Sequence, residues 1–206
     1  MAQRNTLAHF LHDAGLAAWF GGTLMGAVGV NGAAADVDDP RQRARVANAG
    51  WARWTPVNAL AIGAHLYGGA QLLKANRGRV AVQQGVLANT NVKFALTAAA
   101  LGATVYSRVL GKRMQAAGDV PVAGGTDSLS TTPPEVAKAQ RQLAALQWAI
   151  PALTGGILVS SSLHEEQQRG SEVIKGTIKA LPNTIGTAIS GAAGAGYVKA
   201  RDAVHS

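Results

Sequence analysis

Cysteine is missing from this 206-residue chain. Disulfide bonds, thiolate metal sites and cysteine nucleophiles are therefore excluded. Charge is scarce as well, because charged residues make up 15% of the chain, against about 25% in a typical soluble domain. The scarcity is concentrated in four stretches that hold no Asp, Glu, Lys or Arg at all, namely residues 14–35, 54–73, 94–107 and 142–163.

These uncharged stretches predict a membrane protein. A membrane helix needs about 20 mostly apolar residues, and three of the four stretches reach that length. The third does so once its basic neighbours Lys93 and Arg108 are included, with their long side chains reaching toward the lipid headgroups. We therefore predict an all-α integral membrane protein, a multi-pass four-helix bundle in the cell membrane.

The predicted organisation follows the same stretches. Residues 1–113 hold the first three spans. Residues 114–134 are rich in Gly, Ser, Thr and Pro, which predicts a flexible, solvent-exposed linker. Residues 135–170 hold the fourth span, and residues 171–206 combine an amphipathic helix with a Gly- and Ala-rich tail that lies on the membrane surface or is disordered. Residues 184–198 are a candidate fifth span, but they hold few strongly apolar residues to drive insertion.

A soluble, Ala-rich helical bundle is the alternative architecture. Ala and Gly are only marginally apolar, and the mean hydropathy of the chain is a modest +0.10. A soluble helix is expected to carry polar residues every three or four positions. Residues 14–35 carry no such charged face, which favours the membrane interpretation.

The net charge of +8 indicates an anionic partner, either nucleic acid or lipid. The basic residues lie between and after the apolar stretches and form no compact face interleaved with aromatic residues. This placement predicts contacts with lipid phosphates at the membrane surface. We expect the lipid bilayer as the partner and no nucleic acid.

Proline and glycine mark the predicted helix boundaries. The turn at residues 36–40 ends the first helix, because its acidic residues favour a turn and Pro40 cannot continue a helix. The second helix is predicted to begin near Trp54 with Pro56 in its first turn, and to end at the Arg77-Gly-Arg79 break. Thr132-Pro133-Pro134-Glu135 predicts a helix start with a Thr cap, a Pro in the first turn and an acid near the positive end of the dipole.

Three glycines of the first stretch share one narrow helical face. They are Gly22, Gly26 and Gly29. Small residues on one face allow membrane helices to approach closely. We predict that this face packs against another helix, within the chain or in another membrane subunit.

Four of the five histidines are predicted to gather at one membrane face. Because the spans alternate in direction, His9, His12, His65 and His164 fall toward the same side. Histidines on separate helices suit a copper, zinc or iron ion, or the axial positions of a haem, so His12, His65 and His164 are the candidate metal or haem ligands. Alternatively they are interfacial polar residues, and His65 bonds a nearby polar side chain or a facing carbonyl.

The segment Leu11-His-Asp-Ala-Gly-Leu-Ala-Ala-Trp-Phe-Gly-Gly22 resembles the opening helix of the copper-resistance D (CopD-like) family of small bacterial membrane proteins. His12, Trp19, Gly21 and Gly22 carry the resemblance. The second helix is loosely similar through its His65-x-x-Gly-Gly pattern. The resemblance implies a bundle of four or more spans associated with copper handling. The three methionines of this chain are scattered rather than clustered as copper ligands.

No catalytic constellation or phosphate-binding loop is visible in the sequence. We predict a non-enzymatic structural or accessory component of a membrane complex that contacts other subunits through its Gly faces. The alternative is a metal- or haem-binding membrane protein, in copper handling or electron transfer, that uses the His cluster. The cofactor is left open between haem and copper.

Overall fold

The computed structural model describes residues 5–82 and 84–167, with side chains for residues 5–77 and 87–162. Within those ranges the chain is helical and contains no strand. Its elements are α1 (Thr6–Met25), a π-helical turn (Gly26–Val30), α2 (Asn31–Ala35), α3 (Pro40–Val82), α4 (Gln84–Ala116) and α5 (Pro134–Gln167). Since α1, the π-helical turn and α2 follow one another directly, this part of the chain forms four long helices, and the predicted all-α class is confirmed.

Among the described residues, those up to Ser161 form one compact unit, and the end of α5 after Ser161 is not part of it. The predicted tail, residues 171–206, lies outside the described residues. The first helix ends at Ala35 and α5 begins at Pro134, as the turn and helix-start patterns predict.

The predicted boundaries of the second helix are wrong at both ends. Helix α3 begins at Pro40 and runs through Gly78 to Val82, so Pro56 lies inside it. The residues between Pro40 and Pro56 are mostly good helix formers, and Pro40 takes the first-turn position expected of Pro56. The Arg77-Gly-Arg79 segment does not break the helix, because a single interior Gly costs only about 1 kcal/mol.

The middle of the predicted linker, residues 120–126, is packed against the bundle, whereas residues 115–119 and 127–131 are exposed as the composition predicts. Val122 is fully buried. The buried Gln140 side chain donates to the Gly124 carbonyl at 2.9 Å, and Arg43 donates to another carbonyl of the loop at 3.0 Å. These side chains satisfy the hydrogen-bonding needs of the loop carbonyls. Because Arg43 and Gln140 lie outside the segment, the composition of residues 114–134 does not predict these bonds.

Alanines, several large apolar side chains and several polar groups form the centre of the bundle. Trp19 is fully buried and packs with Ala100 of α4 and Ile150 of α5. A second buried cluster, which includes Leu110 and Val122, lies where α4, α5 and the loop meet. Many large apolar side chains face outward instead. Among the described residues, many of the buried positions are therefore alanines, and many large apolar side chains lie on the surface of the helices.

Two segments are long and apolar enough to cross a membrane, Leu87–Ala116 and Pro134–Ser162. The first contains the third uncharged stretch, and the second contains the fourth except for Leu163. Among the described residues, the helices that hold the first two stretches do not meet the same combined criteria of length and apolarity.

Candidate functional site

The crossing of α1 and α3 brings His12 and His65 face to face. Their ring centroids are 4.1 Å apart and the ring planes differ by 17°. Each Nδ1 lies 3.0 Å from the backbone carbonyl oxygen of the other histidine. A carbonyl can only accept, so each ring carries a proton on Nδ1 and donates it across the interface. The structure thus brings together two of the three predicted ligands.

Two glycines make this close contact possible. A Cβ on Gly68 would lie 2.5 Å from both the Ala8 carbonyl oxygen and the His12 amide nitrogen. On Gly15 it would lie 2.6 Å from the His65 amide nitrogen and would also overlap the Ala61 carbonyl. Both positions face backbone atoms that cannot move aside. The two helices therefore touch backbone to backbone on either side of the histidine rings.

The contact is built from one motif used twice. Ala8-x-x-x-His12-x-x-Gly15 in α1 and Ala61-x-x-x-His65-x-x-Gly68 in α3 have the same spacing, and the copies are offset by 53 residues. Because the helices run antiparallel, each Gly of one copy faces the Ala and His of the other. The contact therefore has local two-fold symmetry. Gly15 and this repetition were missed by the sequence reasoning, although comparing the two His-containing segments would have found them.

The stacked rings do not fit a shared metal ion or haem iron. A His nitrogen binds a metal in the plane of its ring at about 2.0–2.1 Å. Since the ring planes are nearly parallel and stacked, no single position lies in both planes at that distance from both free Nε2 atoms. No group of three or more His, Cys, Asp or Glu able to hold a metal occurs among the described side chains. His164 lies in the last turn of α5, and its side chain is outside the described set.

Trp19 borders the histidine pair and has a polar atom without a partner. The Trp19 and His65 rings meet edge to face, with centroids 6.3 Å apart. The buried Trp19 Nε1, Trp54 Nε1 and Asn58 Oδ1 have no hydrogen-bond partner. Trp19 Nε1 is thus a buried donor without an acceptor beside the histidine pair.

The predicted glycine face contacts aromatic rings. A Cβ on Gly22 would overlap the Trp54 indole, and a Cβ on Gly26 would overlap the Trp51 indole. Gly29 has only the Met25 side chain of its own helix nearby, at 3.4 Å. Two members of the face therefore accept indole rings of α3, and the third faces outward.

A second polar contact joins three helices at the far end of the α1–α3 pair. Trp51 Nε1 donates to Asn31 Oδ1 at 3.1 Å, and the Asn31 amide donates to Gln147 Oε1 of α5. Asn31 is buried and follows the π-helical turn directly. We name the two ends of the pair accordingly: the histidine end holds His12 and His65, and the tryptophan end holds Trp51 and Asn31.

Comparison with protein-family models, with curated proteins and with solved structures found no match to this chain. The resemblance of the first helix to the CopD-like family stays a prediction.

Proposed function

We propose that this protein is a multi-pass membrane protein and acts as a non-enzymatic structural or accessory component of a membrane complex. The observation that carries the proposal is a band of exposed apolar side chains around the helices. Exposed large apolar side chains occur over residues 7–28 of the first helix, 46–67 of α3 and 87–109 of α4. At 1.5 Å per residue each stretch is about 32 Å long, and the hydrocarbon core of a bilayer is about 30 Å thick.

Charge and burial in these helices support the same proposal. Each of the three stretches holds only one or two Asp, Glu, Lys or Arg residues. In the 18-residue apolar window of each of the segments Leu87–Ala116 and Pro134–Ser162, 22% and 28% of the residues are buried. The core helix of a soluble protein would be mostly buried, so the apolar side chains of α4 and α5 need an apolar environment outside the chain.

Aromatic rings near the ends of the band also favour a bilayer. Phe10 and Tyr67 are exposed at the histidine end. Trp51 lies at the tryptophan end, and the exposed Trp148 follows Gln147, which bonds Asn31 there. Aromatic side chains collect at the two membrane–water interfaces, and this distribution matches that tendency.

The interior supports a structural role. Polar side chains that could do chemistry at the crossing are held by backbone groups, as His12 and His65 are. The glycines that allow the close contact are the small residues expected where membrane helices pack. The stacked rings give no support to the alternative metal- or haem-binding function. Absorption spectra and metal analysis of the purified protein and its His65→Ala variant test that alternative directly.

Cysteine labelling tests the membrane proposal, because the natural chain has no cysteine. Leu60 is 76% exposed, near the middle of the α3 stretch, and Ser128 is exposed in the loop before α5. In membranes, Leu60→Cys should react with a water-soluble maleimide at least about tenfold more slowly than Ser128→Cys, because a thiol in lipid is not ionised there. Unfolding in detergent and denaturant should equalise the two rates. Equal labelling of both variants before unfolding would contradict the bilayer proposal.

A further inference from the structure

A groove of about 280 Å³ lies between the end of α4 and the start of α5. Its apolar floor includes Leu110, Met114 and Val136, which are buried. Its rim carries Arg113, Glu135 and Lys138, all exposed. An apolar floor beneath a charged rim suits an amphiphile whose polar group stays at the rim.

The groove lies at the depth of lipid headgroups, given the membrane position proposed above. The exposed apolar stretch of α4 ends at Val109, and Arg113 follows one turn later, about 6 Å along the axis. The headgroup layer of a bilayer extends about 5–7 Å beyond the hydrocarbon core on each side. The rim therefore coincides with the lipid phosphates, and the floor with the region just below them.

The charges of the rim complement a phosphodiester. Arg113 and Lys138 have no ion-pair partner among the described side chains. Glu135 lies in the first turn of α5, where the helix dipole favours a carboxylate. The three side chains sum to one positive charge, and a phosphodiester carries one negative charge. An arginine can bond two phosphate oxygens at once, and Lys138 adds a second cation.

The width of the groove is held by a contact between its walls. The Tyr106 hydroxyl of α4 donates to Gln142 Oε1 of α5 at 3.1 Å, and both residues line the groove. A lipid headgroup would therefore meet a site whose two helices are already joined.

We propose that this groove binds the phosphodiester headgroup of an anionic membrane phospholipid, with Arg113 and Lys138 on the phosphate and the start of an acyl chain on the apolar floor. This inference rests on the proposed membrane location and names a lipid partner for it. The ligand class is set by the net positive rim, which favours an anionic over a zwitterionic headgroup.

The test measures lipid binding to the purified full-length protein in detergent, by native mass spectrometry and by the thermal shift on adding phosphatidylglycerol. The variant is Arg113→Gln/Lys138→Gln. Its matched control is Arg41→Gln/Lys74→Gln, which removes the same charge from two exposed basic residues elsewhere. Circular dichroism confirms that each variant folds. We expect phosphatidylglycerol to bind the groove variant at least about tenfold more weakly than the natural chain, since charge-assisted hydrogen bonds are lost, and the control to bind unchanged.

Three outcomes would overturn the lipid site. Equal weakening in both variants means general charge attraction, and equal binding of phosphatidylcholine and phosphatidylglycerol means apolar solvation alone. An equal thermal shift from inorganic phosphate means a free-anion site. Recovery of the natural chain in solution without detergent would instead overturn the membrane proposal, so the two failures are distinguishable.

Discussion

Gly68→Ala tests whether the α1–α3 crossing holds the fold together. A Cβ at this position would lie 2.5 Å from the Ala8 carbonyl oxygen and the His12 amide nitrogen. Cβ atoms in proteins essentially never come closer than 3.0 Å to such atoms. The neighbours are helix backbone, so the helices themselves must separate by at least about 0.5 Å.

That separation would also break the paired histidine bonds. Both Nδ1-to-carbonyl distances are 3.0 Å, and an increase of about 0.5 Å takes them to the limit of hydrogen-bonding distance. Overpacking a core costs ~1–3 kcal/mol, and each lost bond adds ~0.5–1.5 kcal/mol. After the small gain in helix propensity from Gly to Ala, we expect a loss of roughly 2–4 kcal/mol in the free energy of unfolding.

The assay is thermal unfolding in detergent, followed by circular dichroism. Gly63→Ala is the control, because Gly63 lies on the same helix with nothing within 4 Å of its added Cβ. For a chain of this length the loss should lower the midpoint by roughly 5–15 °C, while Gly63→Ala stays unchanged or rises slightly. If both variants unfold within about 2 °C of each other, close packing at the α1–α3 crossing does not contribute appreciably to stability.

Smaller effects are expected at the glycine face and at the Asn31 contact. Gly26→Ala should lower the free energy of unfolding by about 1–2 kcal/mol, less than Gly68→Ala, because an indole side chain can shift where helix backbone cannot. Gly29 faces outward, so Gly29→Ala should not change the midpoint measurably in the same thermal melts. Gln147→Leu should destabilise by about 1–3 kcal/mol by leaving the buried Asn31 amide without its acceptor. In denaturant titrations the exposed Gln71→Leu should leave stability unchanged, and an equal effect of the two Gln variants would argue against the Asn31 contact.

Helix class and several helix ends could be predicted from the sequence, because they depend on local patterns. The Pro40 turn and the Pro134 start are set by residues adjacent in the chain, and the structure has them where those residues predict. The start of α3 was placed too late, because Pro56 is compatible with a first turn and also with a helix interior. The good helix formers between Pro40 and Pro56 extend the helix back to Pro40.

The candidate site was predictable in part. Alternating helix directions bring His12 and His65 to the same end, and the sequence reasoning used this. The ring stacking and the backbone contact at Gly15 depend on the crossing distance between two helices, which no single-helix pattern encodes. The packed loop at Val122 was missed for a related reason, because its partners Arg43 and Gln140 lie on two different helices.

The repeated Ala-x-x-x-His-x-x-Gly motif makes the chain self-complementary. Each helix carries the face that its own copy would recognise, so α1 of one molecule could pair with α1 of another as well as with its own α3. The connection between the first helix and α3 is only residues 36–39. Such a short tether gives the intramolecular partner an effective concentration in the millimolar range. The brevity of that turn is therefore what keeps a symmetric contact inside one molecule, and lengthening it would favour exchange of helices between copies.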